Sequence, residues 1–390
     1  MIYRLLENVV SENLKYFSVI TITGPRQSGK TTLIRKMFPE MAYFSLENPD
    51  VQYFAKNDPV SFLNQTNKGM VLDEVQNVPQ LLSYIQGIVD VYPARKFILS
   101  GSSQFSLLHN VTQSLAGRTA VLELLPLSLH EIRGTEVTNN TDELIYSGFY
   151  PAIHSGKNIA RLFYPAYVRT YLERDVRQLL QVQDIDRFHL FIRLCAGRVG
   201  SLFCASELAN EVGVAVNTIK SWLSILQASY IVFMLQPYYE NTKKRLTKTP
   251  KIYFYDTGLA CYLLGIERFE QIGTDRMRGH LFENLVISEM LKYRLNKGLE
   301  TNLTFYRDSN ANEIDLLVPT GSRYLALEIK SSQTYNSSFE TSFKGVSLSL
   351  DERISKRLVV YDGQLENVNT AIGMVNFRNL QAVLENCDSL

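Results

Sequence analysis

Gly24-Pro25-Arg26-Gln27-Ser28-Gly29-Lys30-Thr31 lies between an apolar strand-like run, Phe17 to Ile22, and a helical pattern, Thr32 to Phe38. Strand, glycine-rich loop and helix in that order are the letters and the context of a phosphate-binding loop. The chemistry explains the composition. A triphosphate needs a ring of unhindered backbone N–H groups, which glycine permits, and a positive helix N-terminus aimed at it. Gly24 to Thr32 are therefore the expected nucleotide-binding residues. Lys30 is placed on the β- and γ-phosphates of ATP and Thr31 on Mg²⁺.

Working outward, short apolar runs separated by helical stretches give five candidate strands of a parallel α/β sheet: Ser18 to Thr23, Ala42 to Leu46, Gly69 to Asp73, Lys96 to Gly101 and Thr119 to Leu124. The third ends in Asp73-Glu74. Downstream of a phosphate loop, Asp73 is expected to bind Mg²⁺ through water and Glu74 to polarise the attacking water. The fourth runs into Ser100-Gly101-Ser102-Ser103, where Ser102, with Ser100 second, is the candidate to sense the γ-phosphate if this strand lies between the other two. Arg118, in Leu115-Ala116-Gly117-Arg118, fits two roles. It is a guanidinium that contacts the γ-phosphate from its own or a neighbouring subunit, or a cation closing a helix C-terminus.

The chain has 390 residues, enough for two or three cores, with 45% hydrophobic and 20% charged residues. The longest apolar stretch, Tyr230 to Leu235, is far too short to cross a bilayer, so no membrane span is expected. Arg4 and Glu7 interrupt the apolar pattern of the first ten residues, which does not read as a secretory signal, and a cytoplasmic location is expected. Lys and Arg total 40 against 39 acidic residues, so any nucleic-acid contact must come from local patches. Cys195, Cys204, Cys261 and Cys387 show neither paired nor zinc-type spacing.

Three domains follow from the pattern: 1–140, the P-loop ATPase; 141–270, a mostly helical region; and 271–390, a small α/β unit. In the second, Ser206 to Val214 and Asn217 to Leu226 read as two short helices about a glycine turn, with Asn217, Thr218, Lys220 and Ser221 on the exposed face of the second. Ile231 to Tyr239 and Lys251 to Tyr255 are aromatic strands flanking Asn241-Thr242-Lys243-Lys244-Arg245-Leu246-Thr247-Lys248, a basic tip suited either to backbone phosphates or simply to solvent. Together these suggest a winged helix that contacts double-stranded DNA. Ala215 counts against base reading, because a capping Ser or Thr normally starts a recognition helix.

The third region begins with a helix from Gly279 to Leu295. Strands Thr304 to Arg307, Glu313 to Val318 and Tyr324 to Lys330 follow, then Arg357 to Tyr361. Strand alternation puts Glu328 and Lys330 on one face, with Asp315 on the adjacent hairpin arm. Two carboxylates for a hard cation, Asp315 and Glu328, with the Lys330 ammonium to acidify water, suit metal-dependent phosphodiester cleavage. Glu283 on the preceding helix would complete the set. The competing reading makes Glu328 and Lys330 the wet face of an edge strand.

Thr23 to Thr31, Leu72-Asp73-Glu74-Val75-Gln76, Leu115 to Arg118 and Leu327-Glu328-Ile329-Lys330-Ser331-Ser332 together resemble a family of bacterial and archaeal AAA-type, origin-recognition-like ATPases. Its members carry a conserved C-terminal region of unknown function with a winged helix and a PD-(D/E)XK nuclease-like domain. The resemblance spans nearly the whole chain and implies ATP binding and hydrolysis. Ile314 stands where the nuclease superfamily usually has Pro before the aspartate. The leading expectation is an ATPase whose nucleotide state reorients a DNA-binding, nuclease-like module. The alternative is a nucleotide-operated protein switch with an inactive nuclease-like domain. A small-molecule kinase fits poorly, because Asp73-Glu74 favours water as acceptor.

Overall fold

A computed structural model describes residues 2–101, 114–156, 159–172, 185–239 and 248–388. The amino-terminal part is a five-stranded sheet of β1 (Val19–Thr23), β2 (Ala42–Ser45), β3 (Gly69–Asp73), β4 (Lys96–Ser100) and β5 (Thr119–Glu123), in the order β2-β3-β4-β1-β5. Every pairing is parallel. A parallel sheet is buried on both faces, which is why its strands read as continuous apolar runs. Val19, Met70, Leu72, Phe97 and Leu99 pack on one side with the helix Leu81–Val91. Ile20, Ile22, Val71 and Ile98 face the helices Leu6–Asn13 and Lys30–Met37 on the other. The five strands match those expected from the sequence to within a residue or two, and β4 lies between β3 and β1.

Beyond β5 the chain forms a strap, residues 125–132, and then the helices of the middle region. Among them Ala205–Val212 and Val216–Ala228 are joined through Gly213, at φ +75°. A left-handed turn there ends the first helix at no steric cost to glycine. The second helix starts at Ala215 with no side-chain cap, and it exposes Asn217, Lys220 and Ser221 while burying Ile219 and Trp222.

β6 (Val232–Pro237) and β7 (Lys251–Phe254) form an antiparallel pair. They belong to a seven-stranded sheet completed by β8 (Thr304–Arg307), β9 (Glu313–Thr320), β10 (Arg323–Lys330), β11 (Ile354–Tyr361) and β12 (Ile372–Asn376), in the order β12-β11-β10-β9-β8-β6-β7. The join is short, Gln236 to Thr304 and Pro237 to Phe305. The expected boundary at 270/271 is consequently no seam in the packing. One apolar core runs from Leu125 through Trp222 and Leu285 to Leu384, and the helix Arg278–Asn296 is buried within it.

Candidate functional site

The loop between β1 and the helix Lys30–Met37 is shaped by its backbone. Gly24 has φ +143°, and a Cβ there would lie 2.2 Å from the Leu124 carbonyl oxygen, so only glycine fits against β5. Gln27 and Gly29 also take positive φ, +62° and +97°, which turns successive peptides around a common centre. Pro25 accepts the Ser28 N–H at 3.3 Å, and Thr32 is exposed on the first helical turn. Arg26 sits 3.9 Å from Glu47 at the surface.

Lys30 Nζ donates to the Gly24 and Pro25 carbonyls, both at 2.8 Å. Burial, the largest influence, lowers its pKa to about 8 despite the opposing pull of Glu74 and Asp73. An ammonium so poorly solvated gains much from an anion.

Asp73, at the end of β3, is the hub. Its Oδ2 accepts from Thr31 Oγ1 at 2.8 Å and from the Tyr43 hydroxyl, and its Oδ1 accepts from Ser100 Oγ. Ser100 thus occupies the position expected of a polar group on the middle strand. Ser102, the first choice for that role, lies outside the described residues. Tyr43 was not foreseen, because a tyrosine in the strand-like Ala42-Tyr43-Phe44 reads as core. Its pKa is pushed up to about 12, by burial first and then by its bond to Asp73. Glu74 follows in the left-handed region at φ +55° and is held by the Gln76 amide. A non-glycine residue there stores about 1–3 kcal/mol of strain, and such strain clusters at reacting sites.

The loop, the buried ammonium and the hard oxygen donors of Thr31 and Asp73 suit a magnesium nucleotide. Arg118 does not join them within this chain. It precedes β5 at the strands' opposite end, about 13 Å from the loop end of the sheet. There it pairs with Asp90 at 2.6 and 2.9 Å and donates to the Ala116 carbonyl at 3.1 Å, so it closes a turn as in its second reading.

In the carboxyl-terminal sheet Leu316 faces Leu327, which brings Asp315 beside Glu328. Asp315 Oδ2 accepts the Ile329 N–H at 2.8 Å, and Lys330 Nζ contacts Glu328 Oε1 at 2.5 Å. Burial first raises both acids well above their ordinary range, followed by repulsion from Glu283 on Asp315 and from Asp315 on Glu328. Asp315, Glu328 and Lys330 are neighbours on the paired strands, and Glu283 acts on Asp315 from the helix Arg278–Asn296. Lys251 on β7 was missed. It is 3% exposed, and its Nζ lies 3.2 Å from Glu283 Oε1 and 2.5 Å from Glu313 Oε1. The Tyr253 hydroxyl also reaches Glu283 Oε1. Among the described residues no group of three or more His, Cys, Asp and Glu side chains is arranged to share a metal ion.

Residues 16–133 match the family model described as an AAA domain. Residues 138–270 and 278–376 match two domains of unknown function, DUF8612 and DUF4143. The chain is 31% identical over 354 residues to the uncharacterized protein Rv2008c of Mycobacterium tuberculosis, covering 89% of this chain and 77% of that protein. It belongs to the Rv2008c family. Identity to the same extent relates it to the uncharacterized Mb2031c of Mycobacterium bovis. The uncharacterized MJ1544 of Methanocaldococcus jannaschii is 23% identical over 76% of this chain and 71% of its own length. Among solved structures, the Walker-type ATPase PABY2304 of Pyrococcus abyssi aligns with a TM-score of 0.43 at 15% identity, over 66% of this chain and 94% of that one. The amino-terminal unit is a P-loop, AAA-type ATPase domain, and none of the described helices is long and apolar enough to cross a membrane.

Proposed function

We propose that this member of the Rv2008c family hydrolyses ATP and couples its nucleotide state to a winged-helix and nuclease-like module that contacts double-stranded DNA. The observation that carries the first half is the convergence of Thr31, Tyr43 and Ser100 on Asp73, beside the buried Lys30 ammonium. Magnesium-bound ATP supplies the reactive phosphoanhydride. Lys30 steadies the terminal phosphates, and the loop N–H groups donate to their oxygens. Thr31 and Asp73 hold the cation, with Tyr43 and Ser100 fixing the Asp73 carboxylate. Glu74 takes the proton of the attacking water as its oxygen bonds to the terminal phosphorus and the bridging P–O bond breaks.

Support for the DNA half is the exposed row Asn217, Lys220 and Ser221, together with the basic sequence before Lys248. The test measures ATP turnover by the full chain with and without duplex DNA, and DNA binding by anisotropy. Lys30→Ala should abolish turnover. Duplex that neither binds nor changes turnover would remove the DNA half while leaving the ATPase intact.

The alternative, a nucleotide-operated protein switch, is favoured by one observation, the Lys251 ammonium lodged between Glu283 and Glu313. It neutralises carboxylates from within, where a nuclease would need a cation. On this reading the full chain shows no Mg²⁺-dependent cleavage, and Asp315→Asn with Glu328→Gln leaves DNA-independent turnover unchanged.

A further inference from the structure

Arg4 is a charged residue in an apolar amino-terminal pattern, yet it is only 6% exposed. Its guanidinium spans three partners. Nη1 donates to the Ser28 carbonyl of the phosphate loop at 2.7 Å, Nη2 to the Leu125 carbonyl at 2.7 Å, and Nε to Glu131 Oε1 at 3.1 Å. Glu131 is equally committed. It accepts from the Leu5 N–H at 2.8 Å and, through Oε2, from the Ser128 N–H at 2.9 Å. The strap between them is gripped from its other side by the helix Arg278–Asn296. Glu289 Oε2 accepts the Leu129 N–H at 2.7 Å, and Lys292 Nζ donates to the Leu127 carbonyl at 3.0 Å. That helix also carries Glu283.

We propose that Arg4 is a positioning residue for the ATP site and the joint through which phosphate occupancy reaches the carboxyl-terminal domain. The inference rests on the reading of residues 16–133 as an ATP-hydrolysing unit. Two physical reasons support it. The Ser28 carbonyl shares its peptide with the Gly29 N–H, one of the groups turned toward the phosphate cradle. A charge-assisted bond on the carbonyl polarises that peptide and strengthens the donor on its other side. Second, the bonds form an unbroken path, from the loop through Arg4 and Glu131 to the strap, and from the strap through Glu289 and Lys292 to the helix. Rigid, fully bonded paths of this kind carry coupling when both ends have alternative arrangements.

The test uses the full chain with Arg4→Met, Arg4→Lys and Glu289→Gln. Turnover is resolved into kcat and KM, and hydrogen exchange of the helix Arg278–Asn296 is compared with Mg²⁺–ADP and with a non-hydrolysable Mg²⁺–ATP analogue. Loss of one charge-assisted bond to the loop should lower kcat/KM by about 10- to 100-fold in Arg4→Met, chiefly through KM. Arg4→Lys, which retains a cation for one carbonyl, should recover part of it. Glu289→Gln, remote from the phosphates, weakens the acceptor for Leu129 and removes the partner of Lys292, so it should leave kcat and KM unchanged but shrink the nucleotide-dependent difference in exchange. Should Arg4→Met fail to fold, Arg4→Lys decides through a raised KM at normal thermal stability. Unchanged kcat and KM in folded Arg4 variants would overturn the positioning role, and a helix whose exchange ignores nucleotide in the unaltered chain would overturn the joint. If the unaltered chain binds ATP without hydrolysing it, the ATPase reading fails instead, and the Arg4 role then stands or falls on whether Arg4→Met weakens that binding.

Discussion

Lys30 should make ATP binding a proton-uptake event above neutral pH. The lysine lies among loop carbonyls with a pKa lowered to about 8 by burial. From the ordinary value of 10.5, that depression is a cost of about 3 kcal/mol on the charged form. Polyphosphate beside the ammonium reverses the sign of the local field and restores the charged form. Binding should then draw in about 0.1 proton at pH 7, about 0.5 at pH 8 and about 0.8 at pH 8.5, the fractions deprotonated beforehand. Above pH 8 the terminal phosphate, with a second pKa of about 6, is already fully ionised and contributes nothing. By the same linkage, apparent affinity should weaken about tenfold between pH 7 and pH 9. Isothermal titration of the full chain with a non-hydrolysable Mg²⁺–ATP analogue, in two buffers of different ionisation enthalpy at pH 7.0 and 8.5, reads the number directly. Heats at pH 8.5 that do not depend on the buffer would refute the argument, because a lysine already protonated there is not depressed as its burial implies.

Gly24→Ala places a Cβ against the Leu124 carbonyl at a positive φ; it should cost at least about 2 kcal/mol and abolish nucleotide binding, measured by urea denaturation and analogue titration. Lys251→Met removes the cation 3.2 Å from half-buried Glu283 and 2.5 Å from Glu313, which keeps Arg307 at 2.9 Å, so stability should fall by about 1–3 kcal/mol, measured by urea denaturation. Asp315 has a folded pKa raised to about 7, so the folded chain holds its proton more tightly than the unfolded one and loses stability as pH climbs from about 4 to 7. Asp315→Asn should therefore flatten the fall of Tm over that range; an unchanged slope would place the raised acidity elsewhere. Tyr43→Phe removes one of the donors to Asp73 and should lower kcat about tenfold with little change in melting temperature.

Much of the ATPase unit could be read directly from the residues. Gly24 to Thr31 lie contiguously in the chain, and the strands around them are short apolar runs whose period and turn residues announce a parallel sheet. Asp73 was legible because it ends such a run. Tyr43 and Arg4 were not, because their partners lie 30 and 24 residues away and nothing local distinguishes a tyrosine in a strand or an arginine just before a helix. Arg118 carried two readings for the same reason. Its neighbours Gly117 and Leu115 fit either a functional turn or a helix end, and only the direction of the strands puts it at the far end of the sheet from the loop of its own chain.

In the carboxyl-terminal part, alternation along β10 and the hairpin with β9 set Asp315 beside Glu328 and Lys330 in advance, since the two-residue period of a strand is a local property. The shared seven-stranded sheet was not local. It depends on a two-residue pairing between β6 and β8, and through it Lys251, 64 residues before Asp315 in sequence, enters the carboxylate cluster. What the chain fixes by itself are the features whose physics acts over a few residues: loop geometry, strand period and helix ends. Which charges meet in the buried interior, and which helix grips the strap behind the phosphate loop, is decided by long-range packing, because apolar burial is non-directional and only the closed fold determines which polar groups are buried together.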